Sequence, residues 1–456
     1  MLISFMIFAY AVPLDLPLMT ECKYFEAQGI MFRPWLKPYD LNDLVGRLDP
    51  LVTGDYHFSR AQHKALSNFM VLLSKTPDFS TLVSVAADHL TDPQETRAFL
   101  DYRMGGRIAD PVSFHQALRF QSSSIIDTFP PYPWKEHVKA YLNEATLRFE
   151  PTGLRIALGR QNYQAGPFID EGLLLAPDPQ GYDGFSIEIP RRYYEFNALY
   201  ATLSARDNRH LALHRLGATL GSVRIGFAEA IVWGGNLEPL YLTPLVPYYL
   251  AQWGMHRDDN ILWVFDASFR LFRTSVHGEF LIDDFQYGKP DGFEVFPNKL
   301  AFKVGLEKTV SGSLLAVLSY TFIDKWVYTQ RIANNAYFKD QRPLGSPLGN
   351  DADQLALDLR LLTGIGLYPR LQVTYTRRGE GSIYLPYEEE LGDPNPPFPS
   401  GIVEKTFQTV LSLGYQMRGH YHLTAGAGWS GTNNEDHVDG RSADHLSFNA
   451  GVWAMY

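Results

Sequence analysis

The sequence predicts an all-β membrane protein, a large closed antiparallel transmembrane β-barrel of about 18 strands. From about residue 80 to the end, apolar and polar residues alternate with a period of two. The alternating segments run about 9–11 residues, which is the span of a tilted membrane strand. Short turns alternate with long polar loops, and this asymmetry is typical of barrels whose long loops lie outside the cell.

The composition agrees with many strands that carry one apolar face. Hydrophobic residues make up 45% of the 456 residues, aromatic residues 14% and charged residues 20%. The net charge of −10 offers no basic excess to displace counterions from phosphates, so nucleic acid is not an expected partner. The single cysteine, Cys22, excludes an intramolecular disulfide.

The N-terminal part of the chain differs from the rest. Residues 1–11 are predicted to be a signal peptide, because an apolar run ends on an Ala-x-Ala motif at residues 9–11. A buried N-terminal strand is the alternative. Residues 12–78 are predicted to form a helical periplasmic region, since apolar residues recur at helical spacing in residues 60–73. The barrel then takes residues 79–456.

Single segments of the barrel show the alternation clearly. In residues 355–362 four leucines share one face, while Asp358 and Arg360 lie on the other. A half-buried soluble sheet would alternate as well, but the segment length and the aromatic residues at segment ends favour a membrane. The last segment, residues 446–456, ends on Tyr456. A terminal aromatic residue of this kind resembles the signal that the bacterial barrel-assembly machinery reads.

Turn residues divide the strands. Gly and Pro predict short turns at residues 150–153, 310–312, 367–370 and 418–419. Longer loops are predicted at residues 162–193, 234–259, 324–351, 379–403 and 431–442.

Several short motifs occur in a fixed order along the chain. They are LGRQ (158–161) with GP (166–167), RH (209–210) with HRL (214–216), IGFAEA (225–230) with GG (234–235), LYLTP (240–244), GEFLIDDF (278–285), PLGSPLG (343–349) and RRGEG (377–381). Together they resemble the Wzi-type capsule-assembly outer-membrane family over nearly the whole chain. The resemblance implies an 18-stranded barrel, a small helical periplasmic part and a lumen plugged by loops. It also implies a role in holding capsular or other surface polysaccharide at the cell surface.

The charged candidate residues for glycan binding are assigned to the lumen face. They are Arg160, Glu229, Glu279, Asp283, Arg360 and Arg378. Acids and arginines in a barrel lumen can hold the wall to a plug, and the same groups can bind a glycan or an ion. Both interpretations stay open at this point.

The aromatic candidates lie in residues 237–253. Three prolines exclude a central strand there, and an irregular segment exposed to lipid is not allowed, so the segment is either folded into the lumen or packed on the outer rim. Its candidates are Tyr241, Tyr248, Tyr249 and Trp253. They could stack on sugar rings or serve as packing, and the same holds for Tyr328, Tyr337 and Phe338.

Catalysis is not predicted. Neither an HExxH nor a GxSxG motif occurs, although a Ser/His/Asp site assembled from separate strands stays open. No metal and no cofactor are expected. The predicted function is non-catalytic binding or anchoring of capsular or exopolysaccharide in the bacterial outer membrane. The alternatives are an outer-membrane channel for small solutes and a structural subunit of an envelope complex. Expected partners are surface polysaccharide, outer-membrane lipid, lipopolysaccharide and, during biogenesis, the barrel-assembly machinery.

Overall fold

The computed structural model describes most of the chain beyond residue 78. The described residues are 11–12, 39–40, 79–91, 94–122, 134–135, 137–168, 171–178, 180–285, 296–311, 313–388, 394–417 and 421–455. Ala11–Val12 and Tyr39–Asp40 form a short antiparallel pair. The rest of the predicted signal peptide and of the predicted helical region 12–78 lies outside the described residues, so both stay predictions.

Eighteen antiparallel strands close into one barrel, as predicted. They are β1 (Phe79–Thr91), β2 (Gln94–Ala109), β3 (Val112–Ser122), β4 (Val138–Phe149), β5 (Arg155–Gln161), β6 (Tyr182–Pro190), β7 (Tyr194–Ser204), β8 (Arg209–Leu220), β9 (Val223–Gly234), β10 (Asn260–Leu271), β11 (Thr274–Asp284), β12 (Lys299–Thr309), β13 (Leu314–Ile323), β14 (Ala352–Leu361), β15 (Leu367–Arg378), β16 (Glu404–Met417), β17 (Tyr421–Asn433) and β18 (Ser442–Met455). Each strand pairs with the next, and β18 pairs with β1 to close the sheet.

The period of two places apolar side chains on the outside of the barrel. On β14, Leu355 and Leu361 are exposed, whereas Arg360 is buried. On β11, Phe280 is exposed between the buried residues Glu279 and Leu281. Exposed leucine and phenylalanine side chains on the outer face are stable in lipid, so this face is the lipid-contacting belt of a membrane barrel.

The loops at the two ends of the barrel differ in length. At the end where β1 begins and β18 ends, the connections have two to five residues. The turns predicted at 150–153 and 310–312 lie between strands at this short-turn end, whereas the turn predicted at 418–419 lies outside the described residues. The loops 162–181, 235–259, 285–298, 324–351 and 379–403 are at the opposite, long-loop end. Long loops of such barrels lie outside the cell.

Two predicted connections are wrong. Residues 182–190, assigned to a loop, form β6, because Phe185, Ile187 and Ile189 alternate with polar residues between Gly181 and Pro190. The turn predicted at residues 367–370 lies instead at residues 362–366, and Pro369 is within β15. Pro369 is tolerated because pairing of β15 with β14 begins one residue later, at Arg370.

One short α-helix, α1 (Tyr248–Gly254), lies in the loop between β9 and β10. Within the described residues, no helix is long and apolar enough to cross a membrane.

The main apolar core lies inside the barrel, in its long-loop half. It joins the lumen faces of β6–β14 to three loops, residues 162–181, 324–351 and 379–388, which we call the plug. The plug residues in this core include Tyr163, Leu173, Leu174, Leu175, Val327, Tyr328, Tyr337, Leu344, Leu348 and Ile383.

Candidate functional site

Two carboxylates on the lumen face hold the plug. Glu279 Oε2 accepts a hydrogen bond from the backbone N–H of Leu173 at 2.8 Å. Asp283 Oδ2 accepts one from the backbone N–H of Tyr328 at 2.5 Å. Both residues lie on the lumen face of β11, as predicted, and both are buried. Their carboxylates bind the plug backbone, which is the structural interpretation of these residues.

Two plug tyrosines bind one plug loop to another. The rings of Tyr328 and Tyr337 stack with centroids 5.7 Å apart. Their hydroxyls donate to the carbonyl oxygens of Leu173 and Leu174 at 2.6 and 2.7 Å. Burial raises the pKa of both phenols well above the usual value, so both remain neutral donors near neutral pH. Since neither ring has exposed surface, these tyrosines are packing residues.

Arg360 and Arg378 also lie on the lumen face, on β14 and β15. Arg360 donates to Asp358 through Nε at 2.9 Å and Nη2 at 2.6 Å, and Asp358 also accepts from Arg370. This cluster is in the short-turn half of the lumen, because β14 runs toward that end. Arg378 lies at the long-loop rim, 4.0 Å from Glu404. The structure therefore does not bring the lumen candidates together into one site.

Glu229 was assigned to the lumen, and this assignment is wrong. On β9 it shares a face with Ile225 and Phe227, which are exposed on the outside of the barrel. Glu229 is buried because residues 236–256, which we call the outer cap, fold over the outer face of β7–β10. Of the two positions predicted for this segment, the structure shows the outer rim.

Glu229 accepts four hydrogen bonds beneath the outer cap. Its donors are the backbone N–H groups of Tyr248 and Tyr249 at 2.7 and 3.0 Å, and Trp263 Nε1 at 2.9 Å. His214 Nε2 lies 3.2 Å from the same carboxylate. The first N–H groups of a helix lack partners inside the helix. Glu229 supplies that acceptor for α1 and fixes the helix on the barrel wall.

The aromatic candidates of the outer cap divide into two pairs. Tyr241 and Tyr248 are buried against the wall, where the Tyr241 ring is 5.0 Å from Trp233 and its hydroxyl donates to Asp259 at 2.7 Å. Tyr249 and Trp253 are 44% and 68% exposed. The first pair is packing, and only the second pair presents ring surface away from the barrel.

Arg160 is also on the outer face, contrary to its assignment. It follows the exposed residues Ile156 and Leu158 on β5 at the spacing of two. It forms an ion pair with Asp183 on β6 at 2.6 Å and donates to the Leu142 carbonyl oxygen at 3.1 Å. On this face the charge of Arg160 is neutralised by Asp183 and its remaining donor is satisfied by a carbonyl oxygen.

A contact that no sequence pattern predicted joins the plug, across the barrel rim, to the two residues Gly234 and Asp258 that flank the outer cap. Asn335 Oδ1 accepts from the backbone N–H of Gly234 at 2.8 Å, and its Nδ2 donates to the Asp258 carbonyl oxygen at 2.8 Å. Arg209 adds bonds to the carbonyl oxygens of Asn334 and Ala336. An asparagine in a loop predicts a turn at most, and nothing local identifies a partner a hundred residues away.

Asp351 is a second residue that the sequence analysis missed. It is fully buried and accepts from the backbone N–H groups of Gly381 and Ser400 at 2.9 and 3.0 Å. The Ser400 hydroxyl donates to it at 2.5 Å. A Cβ on Gly379 would lie 2.2 Å from its Oδ2. The motifs at 343–349 and 377–381 flank Asp351, so they were the available signal.

Three residues on separate strands resemble a hydrolase triad. Ser268 Oγ lies 2.8 Å from His277 Nδ1, and His277 Nε2 lies 3.6 Å from Glu307. Ser268 is only 1% exposed, and the ring of Phe168 from the plug lies 6.0 Å from the imidazole. A substrate carbonyl has no room to approach the hydroxyl, so the arrangement acts as a buried polar contact between strands.

A metal site requires several His, Cys, Asp or Glu side chains close together. Among the described residues, no group of three or more His, Cys, Asp and Glu side chains is placed to hold a metal ion.

The long-loop end presents an aromatic pair, Phe338 and Tyr384, which we call the crown pair. Their rings meet edge to face at 5.2 Å, and the guanidinium of Arg209 lies 4.3 Å from the Phe338 centroid. The Tyr384 hydroxyl donates to the Gln341 carbonyl oxygen at 2.7 Å. Tyr384 is 49% exposed, so one ring face is open to the exterior.

Comparison with known proteins finds similarity in structure. No family model matches the sequence, and no curated protein matches it. Among solved structures it is similar to Wzi of Escherichia coli, described as a carbohydrate-binding β-barrel involved in group 1 capsule assembly. The two share 16% identity with a TM-score of 0.68, over 96% of this chain and 98% of Wzi. OccK3 of Pseudomonas aeruginosa matches with 10% identity and a TM-score of 0.50, over 83% of this chain and 95% of OccK3. The chain therefore shares the fold of Wzi, and its closed barrel of eighteen strands is that of a bacterial outer-membrane protein.

Proposed function

We propose that this barrel binds surface polysaccharide, capsular or exopolysaccharide, at the outside of the cell without changing it chemically. The observation that supports this most is the filled long-loop half of the lumen. Leu173, Tyr328 and Tyr337 from two plug loops have no exposed surface there. A filled lumen favours binding over passage of solutes. The fold shared with Wzi, a carbohydrate-binding barrel, points the same way.

The crown pair is the best placed group for contact with a glycan. A pyranose ring has apolar C–H faces that pack on aromatic rings, and Tyr384 has one face open to the exterior. Arg378 at the same end is partly exposed and could donate to sugar hydroxyl groups. Of the aromatic candidates from the sequence, Tyr241, Tyr248, Tyr328 and Tyr337 are too buried to take part directly.

The test is polysaccharide retention in a deletion strain of the native host. Polysaccharide on the cells and polysaccharide shed into the medium are both quantified. We expect total glycan to be unchanged and to shift into the medium. Complementation with wild type should restore retention, and Tyr384→Ala should restore it only in part. Tyr384→Phe keeps the ring and serves as the matched control. Unchanged cell-associated glycan in the deletion strain would contradict the proposal.

A channel is the second candidate, because one sector of the lumen is lined by small residues. Gly426, Gly428 and Gly451 lie on the lumen faces of β17 and β18. On the same side, Gln408 of β16 and Asn449 of β18 are exposed within the lumen. Single-channel conductance of the purified barrel in a planar bilayer distinguishes the two functions. A steady ohmic conductance would support the channel and count against the plugged glycan-binding barrel.

A further inference from the structure

We propose that the outer cap is immersed in the outer leaflet and contacts lipid acyl chains. The first argument is height. Ile231, beneath the cap, is eight residues from Val223 at the start of β9. That is about 26 Å along the strand at roughly 3.3 Å per residue. With a strand tilt near 40° it is about 20 Å of height, within an apolar band about 25 Å tall.

The same geometry places the outward-facing carboxylate of Glu229 at the depth of the lipid hydrocarbon. Glu229 is six residues above Val223, at a height of about 15 Å, and its side chain points outward. A bare carboxylate there would face hydrocarbon, which is costly. The outer cap supplies two backbone N–H groups to Glu229 and removes it from lipid. Its wall-facing side therefore satisfies the polar groups that lipid could not.

The opposite side of the outer cap is apolar. Leu245, Leu250 and Trp253 are 79%, 60% and 68% exposed. Large apolar side chains exposed together are unfavourable in water and mark a contact surface. Tyr249 and Trp253 are also the residue types that collect at the level of lipid headgroups. This surface matches the chemistry of the hydrocarbon–headgroup boundary.

This surface is continuous with the lipid-contacting belt of the barrel. The Tyr249 ring lies 6.4 Å from Trp253 and 5.5 Å from Trp263 on the outer face of β10. Two residues along β10, Phe265 faces outward and lies 5.1 Å from Phe227 of β9. Because the belt contacts lipid, and aromatic residues at successive outward positions of β10 lead from the belt to the cap, lipid is the expected neighbour of the cap as well.

Spin labels measure this directly in the full-length barrel. In a Cys22→Ser background, labels at Leu250→Cys (outer cap), Leu216→Cys (belt) and Leu385→Cys (long-loop end) are compared in phosphatidylcholine vesicles with and without lipopolysaccharide. We expect the Leu250→Cys label to resemble Leu216→Cys, with high accessibility to oxygen and low accessibility to a water-soluble nickel complex. If it instead resembles Leu385→Cys, or is shielded from both reagents by a second copy, the proposal is overturned.

A second measurement requires no label. Brominated acyl chains quench nearby tryptophan, so Trp253→Phe should remove part of the quenching seen with wild type. The matched control is Trp326→Phe, because Trp326 is buried in the plug. Equal loss in both variants, or none in Trp253→Phe, would also overturn the proposal. Neither measurement depends on polysaccharide, so failure here is distinguishable from failure of the proposed function.

Discussion

The plug and the outer cap are two loop structures held against opposite faces of one sheet by strand carboxylates. Inside, Glu279 accepts a backbone N–H of the plug, and outside, Glu229 accepts two from the outer cap. The surroundings differ. The plug shares a large apolar core with nine strands, whereas the outer cap rests on a small cluster that includes Ile231, Trp233 and Tyr241.

This difference predicts how readily the plug and the outer cap should each open. Besides Glu279, the plug has several independent attachments to the wall, including Asp283, Lys299 and Lys303. For the outer cap, one buried carboxylate collects most of the polar contacts with the wall. Removing one group should therefore release the cap more readily than the plug. Hydrogen exchange of the folded barrel in detergent measures both, because it reports opening of each loop separately.

The largest effect is expected for Glu229→Ala. The change leaves the N–H groups of Tyr248 and Tyr249 and the indole N–H of Trp263 without their acceptor. Each buried donor left without an acceptor costs about 1–3 kcal/mol, so three of them together cost at least about 3 kcal/mol. The amides of α1 should then exchange at least about a hundredfold faster, since 1.4 kcal/mol is a factor of ten. Glu279→Ala is the control, and unchanged exchange in α1 of Glu229→Ala would show that apolar packing alone holds the cap.

A smaller effect is expected for Asp351→Ala within the plug. Three donors from residues 381 and 400 lose their acceptor, at a cost of about 2–3 kcal/mol. Loop 379–403 should exchange faster and be cut sooner by protease, while α1 keeps its protection. Ser400→Ala removes only one donor from the same cluster and should have a milder effect. Equal effects of the two variants would mean that the carboxylate does not organise these loops.

Glu279→Ala should weaken the plug by about 1–2 kcal/mol. The segment around Leu173 loses an acceptor, and the apolar core keeps the plug in place. The readouts are exchange of residues 171–178 and conductance, which should stay low. A large ohmic conductance after this single change would refute redundant attachment of the plug.

The smallest effect is the coupling between the two regions through Asn335. Asn335→Ala removes the rim contact, and a double-mutant cycle with Glu229→Ala should give a coupling of about 0.5–1 kcal/mol for opening of the outer cap. Additive effects would mean that the cap and the plug open independently despite their contact.

The sequence by itself determined the closed barrel, its strand number and the side of most strand residues. Where one face of a strand contacts lipid and the other a polar lumen, apolar and polar residues alternate strongly. For this reason Glu279, Asp283 and Arg360 were assigned to the correct face. The positions of Gly and Pro predicted the order of short turns and long loops. The exception was β6, a short strand that was assigned to a loop because Gly181 precedes it and Pro190 ends it.

Only the tertiary structure decided the side of Glu229 and the position of the outer cap. Residues 228–233 of β9 are all buried, inside by the plug and outside by the cap. Because both faces of this stretch are covered, apolar residues occupy both, and the apolar–polar alternation that assigns a residue to the lumen or to the outside is lost. A charged residue within such a stretch is then assigned to the lumen by default. The contacts of Asn335 and Asp351 were equally hidden, because their partners lie in other loops that only closure of the barrel brings together.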